Sequence, residues 1–219
     1  MIQLPDFKKA FEYENNFYLG CDNTRLSKIL AHYELYKRVL DLPGDIVECG
    51  VFKGASFVRF AGFRYLFKNP YFHKLIGFDT FGKFPHTSFK DDEKLIKHFF
   101  QAAGNQSISK EQLIEVLRNK GIDKNVELVK GNIEKSIPKY IKENPNLKIS
   151  LLNLDTDFYE PAVAIMDNFW PRIVSGGILI LDNYGGFRGE TKAVDEYFKH
   201  QKVNILKFPF AMNPCYIVK

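Results

Sequence analysis

The sequence predicts an α/β fold, a mostly parallel, doubly wound sheet with helices on both faces. Three observations lead there. Short apolar runs alternate with helix-length stretches along the chain, the pattern of repeated βαβ units. Two of these runs, 149–154 and 177–181, flow directly into acid at Asp155 and Asp182, with a helix-length segment between them. In a parallel sheet such ends lie side by side at the carboxyl edge, where open sheets bind ligands. Two closing segments, 203–208 and 214–218, read as strands around a tight turn, an antiparallel hairpin at one sheet edge.

The elements follow in order. The first twenty residues are aromatic and polar without clear period and read as an arm or short helix. Residues 24–40 carry Leu26, Ile29, Leu30, Tyr33, Tyr36 and Leu40 at helical spacing, and Leu42-Pro-Gly44 stops them. Residues 45–49 form a buried strand, 50–56 a turn, and a helix runs on to Phe67. A second strand, 74–78, ends at Asp79. Residues 82–108 break the alternation around a helical patch rich in Lys, Asp and Phe. A helix at 109–120, a strand at 126–129 and a helix opening at Gly131 restore it. Pro161 suits the first turn of a helix over 161–170, and a last helix covers 191–200.

The 219 residues suit one domain, 1–219, in which 1–40 is an N-terminal arm and helix and 82–108 is an insert expected to cover the substrate. No segment reads as a membrane span, and the first residues lack the basic and apolar regions of a signal peptide. Three cysteines at no metal or redox spacing fit reduced thiols, so a cytoplasmic location is expected. A net charge of +5, with Lys130, Lys135, Lys139, Lys142 and Lys148 scattered among apolar residues, predicts solvated faces rather than a nucleic-acid stripe. None of His32, His73, His86, His98 or His200 stands at ligand spacing from a cysteine or second histidine, so zinc is not expected.

Four constellations carry chemistry. In Glu48-Cys-Gly50-Val-Phe-Lys-Gly54-Ala-Ser56, Gly50 permits a sharp turn, Gly54 permits close approach at a helix start, and the backbone N–H groups can hold an anion. The three-glycine dinucleotide fingerprint is missing. Glu48 instead suits the ammonium of an amino-acid-bearing nucleoside, a purely structural turn being the alternative. Asp79, followed by Thr80, ends the second strand where ribose hydroxyls are commonly bound, or it caps a turn. Asp155, Asp182 and Asn183 offer three oxygen ligands at one edge, suiting Mg²⁺ or another divalent cation that would lower the pKa of a bound hydroxyl. Against that, Asp157 could cap the next helix and Asp182-Asn183 could form a turn. Asn132 and Ile133 could border an adenine ring or merely start a helix.

Taken together, these motifs resemble the S-adenosylmethionine-dependent methyltransferases, and more narrowly the macrocin O-methyltransferase family, which methylates sugar hydroxyls. The resemblance rests on Ile46-Val-Glu48-Cys-Gly50-Val-Phe-Lys-Gly54, Gly77-Phe-Asp79-Thr-Phe81 with Phe84-Pro85, Leu154-Asp155-Thr-Asp157-Phe-Tyr159 and Gly176-Gly177-Ile-Leu-Ile-Leu-Asp182-Asn183-Tyr184-Gly185. It spans about residues 40 to 200. It implies a Rossmann-like class I fold with seven strands, S-adenosylmethionine as cofactor, Glu48 and Gly50 at its methionine end, Asp79 at its ribose, and Asn132-Ile133 at its adenine. The acid edge also resembles that of catechol O-methyltransferase, which implies a metal on Asp155, Asp182 and Asn183. Where the family pattern has two aspartates this chain has Asp182-Asn183. The catechol enzyme's lysine base falls at Phe158, and the family's late histidine base has no match. Asp155 or Asp157 is left to take the proton, unless metal activation suffices.

The expected activity is therefore methyl transfer to a hydroxyl of a sugar or related small molecule, with a small-molecule acceptor, no nucleic-acid or membrane partner, and room for a homo-oligomer. A nicotinamide-dependent reductase and a non-catalytic nucleoside-binding protein are the alternatives.

Overall fold

The computed structural model describes residues 2–67, 70–85 and 87–219, and His86 lies outside them. Its strands are β1 (Asp45–Cys49), β2 (Leu75–Asp79), β3 (Val126–Lys130), β4 (Ile149–Leu154), β5 (Ile173–Leu181), β6 (Leu206–Lys207) and β7 (Cys215–Val218). They form one seven-stranded sheet in the order β3-β2-β1-β4-β5-β7-β6. Strands β1 to β5 pair in parallel, and β7 runs antiparallel to both β5 and β6. The helices are α1 (Ala10–Gly20), α2 (Asn23–Lys37), α3 (Ala55–Leu66), α4 (Glu93–Ala103), α5 (Lys110–Asn119), α6 (Ile133–Glu143), α7 (Tyr159–Phe169) and α8 (Arg188–Phe198).

The inner strands are largely apolar because both faces are covered, with Glu48, Ser150 and Asn153 as buried polar exceptions. Ile46, Leu75, Leu151, Ile178 and Ile180 pack on one side against Leu35, Phe57, Phe60 and Leu117 of α2, α3 and α5. Their neighbours Val47, Ile76, Leu152, Leu179 and Leu181 pack on the other against Ile137, Ile165, Phe169 and Val194 of α6, α7 and α8. Caps fix several helix starts: the Asp22 carboxylate accepts the Thr24 N–H, and Ser109 and Gln112 form a reciprocal capping box at α5.

Three expectations shift. Strand β5 begins at Ile173, not 177, because Gly176 adopts φ +78° and the β4–β5 register slips between Ile149 and Leu151, letting the strand pass through its two glycines as a bulge. Strand β6 keeps only Leu206–Lys207, and 208–214 is no tight turn, since it buries Phe208 and Ala211. Helix α2 ends at Lys37, where Val39 and Leu40 close tighter turns onto Tyr36 and Lys37.

The insert leaves the sheet through a closed neck. Lys83 bridges to Gln106, the Phe84 N–H donates to the Asn105 carbonyl and the Ser107 N–H to that of Gly82. Farther out, a 3-10 turn (Lys90–Asp92) precedes α4, and the buried Asp92 carboxylate accepts the N–H groups of Arg188 (3.0 Å) and Gly189 (2.7 Å) at the start of α8. No helix among the described residues is long and apolar enough to cross a membrane.

Candidate active site

The strand order reverses between β1 and β4, where open sheets part to admit ligands. Register carries the site residues to that point. Cys49 pairs with Leu154 and Leu154 with Leu181, so Gly50, Asp155 and Asp182 leave neighbouring strands at one level. The ladder runs one step further, with the Asp155 N–H donating to Cys49 and the Asp182 N–H to Leu154. A cavity of about 570 Å³ opens above them. Gly50, Ser56, Asp79, Thr80, Asn132, Ile133, Asp155, Asp157, Asp182 and Asn183 all line it.

Gly50 has φ +92°, and a Cβ there would come within 1.7 Å of the Asp155 carbonyl oxygen, so the crossing of these two chains requires glycine. Gly54, at φ +87°, caps α3 behind the wall. Glu48 also lies behind it, fully buried. One of its oxygens accepts from the Ser56 hydroxyl (2.7 Å), and Oε2 has no partner. Burial outweighs Ser56 and Arg59 and pushes its carboxyl up to about 8. Its reach toward a ligand runs through Ser56 rather than by direct contact.

Asp79 does more than end a strand. Its carboxylate accepts the N–H groups of Phe52 (3.0 Å) and Phe81 (2.7 Å), two residues in left-handed backbone at φ 47° and 46°. Such residues persist only where their surroundings over-determine them, and here one carboxylate fixes both. Oδ1 also accepts from the Thr80 hydroxyl (3.3 Å), and Oδ2 keeps capacity for a further donor. Asn132 caps α6 through the Glu134 N–H (2.8 Å) while its residue still faces the cavity, so the helix-start reading and the wall position coexist.

At the acid edge, Asn183 donates its amide to Asp155 Oδ1 (3.0 Å). Asp157, at φ 64°, does not cap α7, whose N-cap is Phe158 without a side-chain bond. Burial and the charge of Asp182 raise Asp155 well above the carboxylate range and push Asp157 up to about 7. Asp182 goes the other way. Burial alone would raise it, but Lys28 and His32 together hold it well below the usual range. Lys28 Nζ stands 2.5 Å from Asp182 Oδ2. His32 Nε2 stands 3.6 Å from Asp182 Oδ1. The Arg59 guanidinium donates to His32 Nδ1 (3.0 Å), which puts the ring proton on Nε2, facing Asp182. Beneath Asn183, the buried Glu190 accepts its backbone N–H (3.0 Å), and burial with Asp157's charge pushes Glu190 up to about 8.

The opposite walls come from outside the sheet. Phe17, Cys21, Arg25, Lys28 and Arg59 line the cavity from the N-terminal segment and α3, and Phe84, Pro85, Phe99 and Ala103 from the insert. Phe84 packs edge-on against Phe52, Phe100 and Phe158. The sequence reading left out Arg25, Lys28, His32 and Arg59. A signal existed, since 25, 28 and 32 share the face of α2 that carries buried Ala31 and Leu35, an unusual place for cations.

Comparison with known proteins bears on the family and the fold. A profile of the family described as Macrocin-O-methyltransferase (TylF) matches residues 23–207. The chain is 26% identical over 162 residues to demethyldecarbamoylnovobiocin O-methyltransferase of Streptomyces niveus, a match covering 72% of this chain and 59% of that protein. It thus spans less than two thirds of that relative's length. CalS11, described as a calicheamicin methyltransferase, is similar in structure, with 28% identity, a TM-score of 0.75, and 95% of this chain and 84% of the other covered. The O-methyltransferase NovP, at 21% identity, shares the fold with a TM-score of 0.76 over 88% of this chain and 79% of its own. The fold is that of class I, Rossmann-like methyltransferases.

Proposed function

The chain belongs to the macrocin-O-methyltransferase family, and on that premise we propose that it is an S-adenosylmethionine-dependent O-methyltransferase acting on a hydroxyl of a sugar or related small molecule. The observation that carries this reading is the division of one cavity. Its β1–β2 side offers a backbone turn, a hydroxyl and a carboxylate, and its β4–β5 side offers acids.

The residues present fit the cofactor. Asp79 and Thr80 would hold the ribose, Asn132 and Ile133 would border the adenine, and the Gly50 turn with Ser56, backed by Glu48, would receive the methionine end. Glu48, buried behind the wall with its Oε2 unpartnered, would act on that end through the Ser56 hydroxyl it holds. When bound, S-adenosylmethionine supplies an electrophilic methyl. That methyl would pass to the acceptor oxygen, leaving S-adenosylhomocysteine behind. The chain's own part is alignment and proton handling. The aromatic wall of Phe52, Phe84 and Phe158 excludes water. Asp157, uncapped and facing the cavity, would take the hydroxyl proton and pass it to solvent. CalS11 is also described as a TDP-rhamnose 3'-O-methyltransferase, which supports a sugar hydroxyl as the acceptor.

The divalent cation implied by resemblance does not fit the donors as they stand. Mg²⁺ seeks about six oxygens. Here Lys28 occupies Asp182 Oδ2, Oδ1 faces His32, and Asn183 presents its amide nitrogen to Asp155. Among the described residues, no group of three or more His, Cys, Asp or Glu side chains is arranged for a metal. No step is routed through one.

A thermal-shift titration tests the reading. S-adenosylhomocysteine should stabilise the protein by about 2.7 kcal/mol at ~100 times its Kd, and NADH should not. Absence of a shift with S-adenosylhomocysteine overturns the proposal, and a shift with NADH alone would favour the reductase.

A further inference from the structure

We propose that Lys28 is a tethered cation that takes the place of a divalent ion at the acid-ended strands, so that the acceptor hydroxyl is met by an ammonium rather than a metal. The proposal rests on the methyl-transfer reading above. Three acids, Asp155, Asp157 and Asp182, converge where the sheet opens, and Asp182 is the one that stands against a counter-charge. The chain supplies that charge from 154 residues away in sequence. Lys28 reaches from α2 into the cavity, its side chain 18% exposed against 2% for Asp182, and its ammonium donates to Asp182 Oδ2. An ammonium has three donors, of which Asp182 takes one, leaving others for an acceptor oxygen and for Asp155.

Two further features hold Lys28 in this position. The second oxygen of Asp182, which has no hydrogen-bond partner, lies 3.6 Å from His32 Nε2, and Arg59 sets the tautomer that turns the ring proton toward it. Asn183 brings no charge, where a second aspartate would have added one negative charge for a dication to neutralise. Two aspartates with a dication, and one aspartate with an asparagine and an ammonium, differ by one unit on each side. The Asp-to-Asn departure at 183 and the presence of Lys28 therefore balance. The ammonium would attract the acceptor hydroxyl and favour its deprotonated form, the same electrostatic service that a metal gives, at lower charge.

Mn²⁺ titrated into the protein saturated with S-adenosylhomocysteine, followed by the loss of the free-ion EPR signal, tests this without any acceptor. The wild type should leave millimolar Mn²⁺ free, whereas Lys28→Met should bind it at least tenfold more tightly, because Asp155 and Asp182 lose their counter-charge. Adding Asp182→Asn to Lys28→Met should abolish that binding and locate it. Wild-type binding that Asp182→Asn removes overturns the proposal, even if Lys28→Met fails to fold. So does a folded Lys28→Met that binds no Mn²⁺. Saturation with S-adenosylhomocysteine is verified first by its own thermal shift, so failure of the cofactor reading is seen separately from failure of the Lys28 assignment.

Discussion

Replacing Glu48 by glutamine probes the electrostatics beneath the cavity. The carboxyl is fully buried with one oxygen unpartnered, and burial lifts it from the ordinary 4.5 to about 8. The native protein therefore holds this proton more tightly than the unfolded chain. Below about pH 4.5 both states are protonated and the stabilisation is complete. As pH rises from there to about 8, unfolding releases the proton and stability falls, and above that the contribution is lost. At about 1.36 kcal/mol per pH unit the whole window amounts to about 5 kcal/mol, an upper bound. Glutamine resembles the protonated acid in shape and does not titrate, so Glu48→Gln removes this slope and leaves those of Asp155, Asp157 and Glu190 in place. Urea unfolding of both ligand-free proteins at several values between about pH 5 and 8 measures the difference. The variant should gain on the wild type by roughly 1 kcal/mol per pH unit. Stability curves that run parallel across that window would refute the burial argument.

Gly50→Ala places a methyl 1.7 Å from the Asp155 carbonyl at a positive φ, and should destabilise the fold by at least ~3 kcal/mol, read by thermal or urea melting. A normal melting point would mean the β1 and β4 exits are not locked together. Asp157→Asn suits its left-handed backbone and should fold normally. It should bind S-adenosylhomocysteine within about twofold of wild type while turnover falls roughly 10²-fold or more. Unchanged turnover would remove Asp157 from proton transfer.

The strands that end in Gly50, Asp79, Asp155 and Asp182 were legible because a parallel strand buried on both faces writes itself as an unbroken apolar run, and the residue after the run is the one delivered to the carboxyl edge. The start of β5 was hidden by its own glycines, which mark a bulge in the fold but a break in the pattern. Lys28, His32 and Arg59 were illegible as a group for a different reason. Their meaning lies in a contact between α2 and the end of β5, and the apolar face that Lys28 and His32 share marks them as unusual without naming the acid they meet. Asp157 shows the limit from the other side. Its position before a helix suggested a cap, but the chain turns through φ 64° there and hands the cap position to Phe158. Phe52, Phe84 and Phe158 stand in the motifs quoted above, but their meeting as one wall was hidden, because the insert that carries Phe84 and Phe99 has no sheet register to place it.

The closed neck of that insert has an evolutionary reading. Residues 82–84 and 105–107 are stitched to one another, and the outer part is fastened to α7 by Thr87 and Ser88, which donate to Glu160, and to α8 through Asp92. A segment held this way behaves as a cassette. It can be lengthened, shortened or swapped for a paralogue's between 85 and 104 without disturbing a single strand pairing. Substrate range in such a scaffold can change by exchange of one module while the cofactor half stays as it is, and chimaeras cut at the neck are the natural place to begin re-targeting the enzyme.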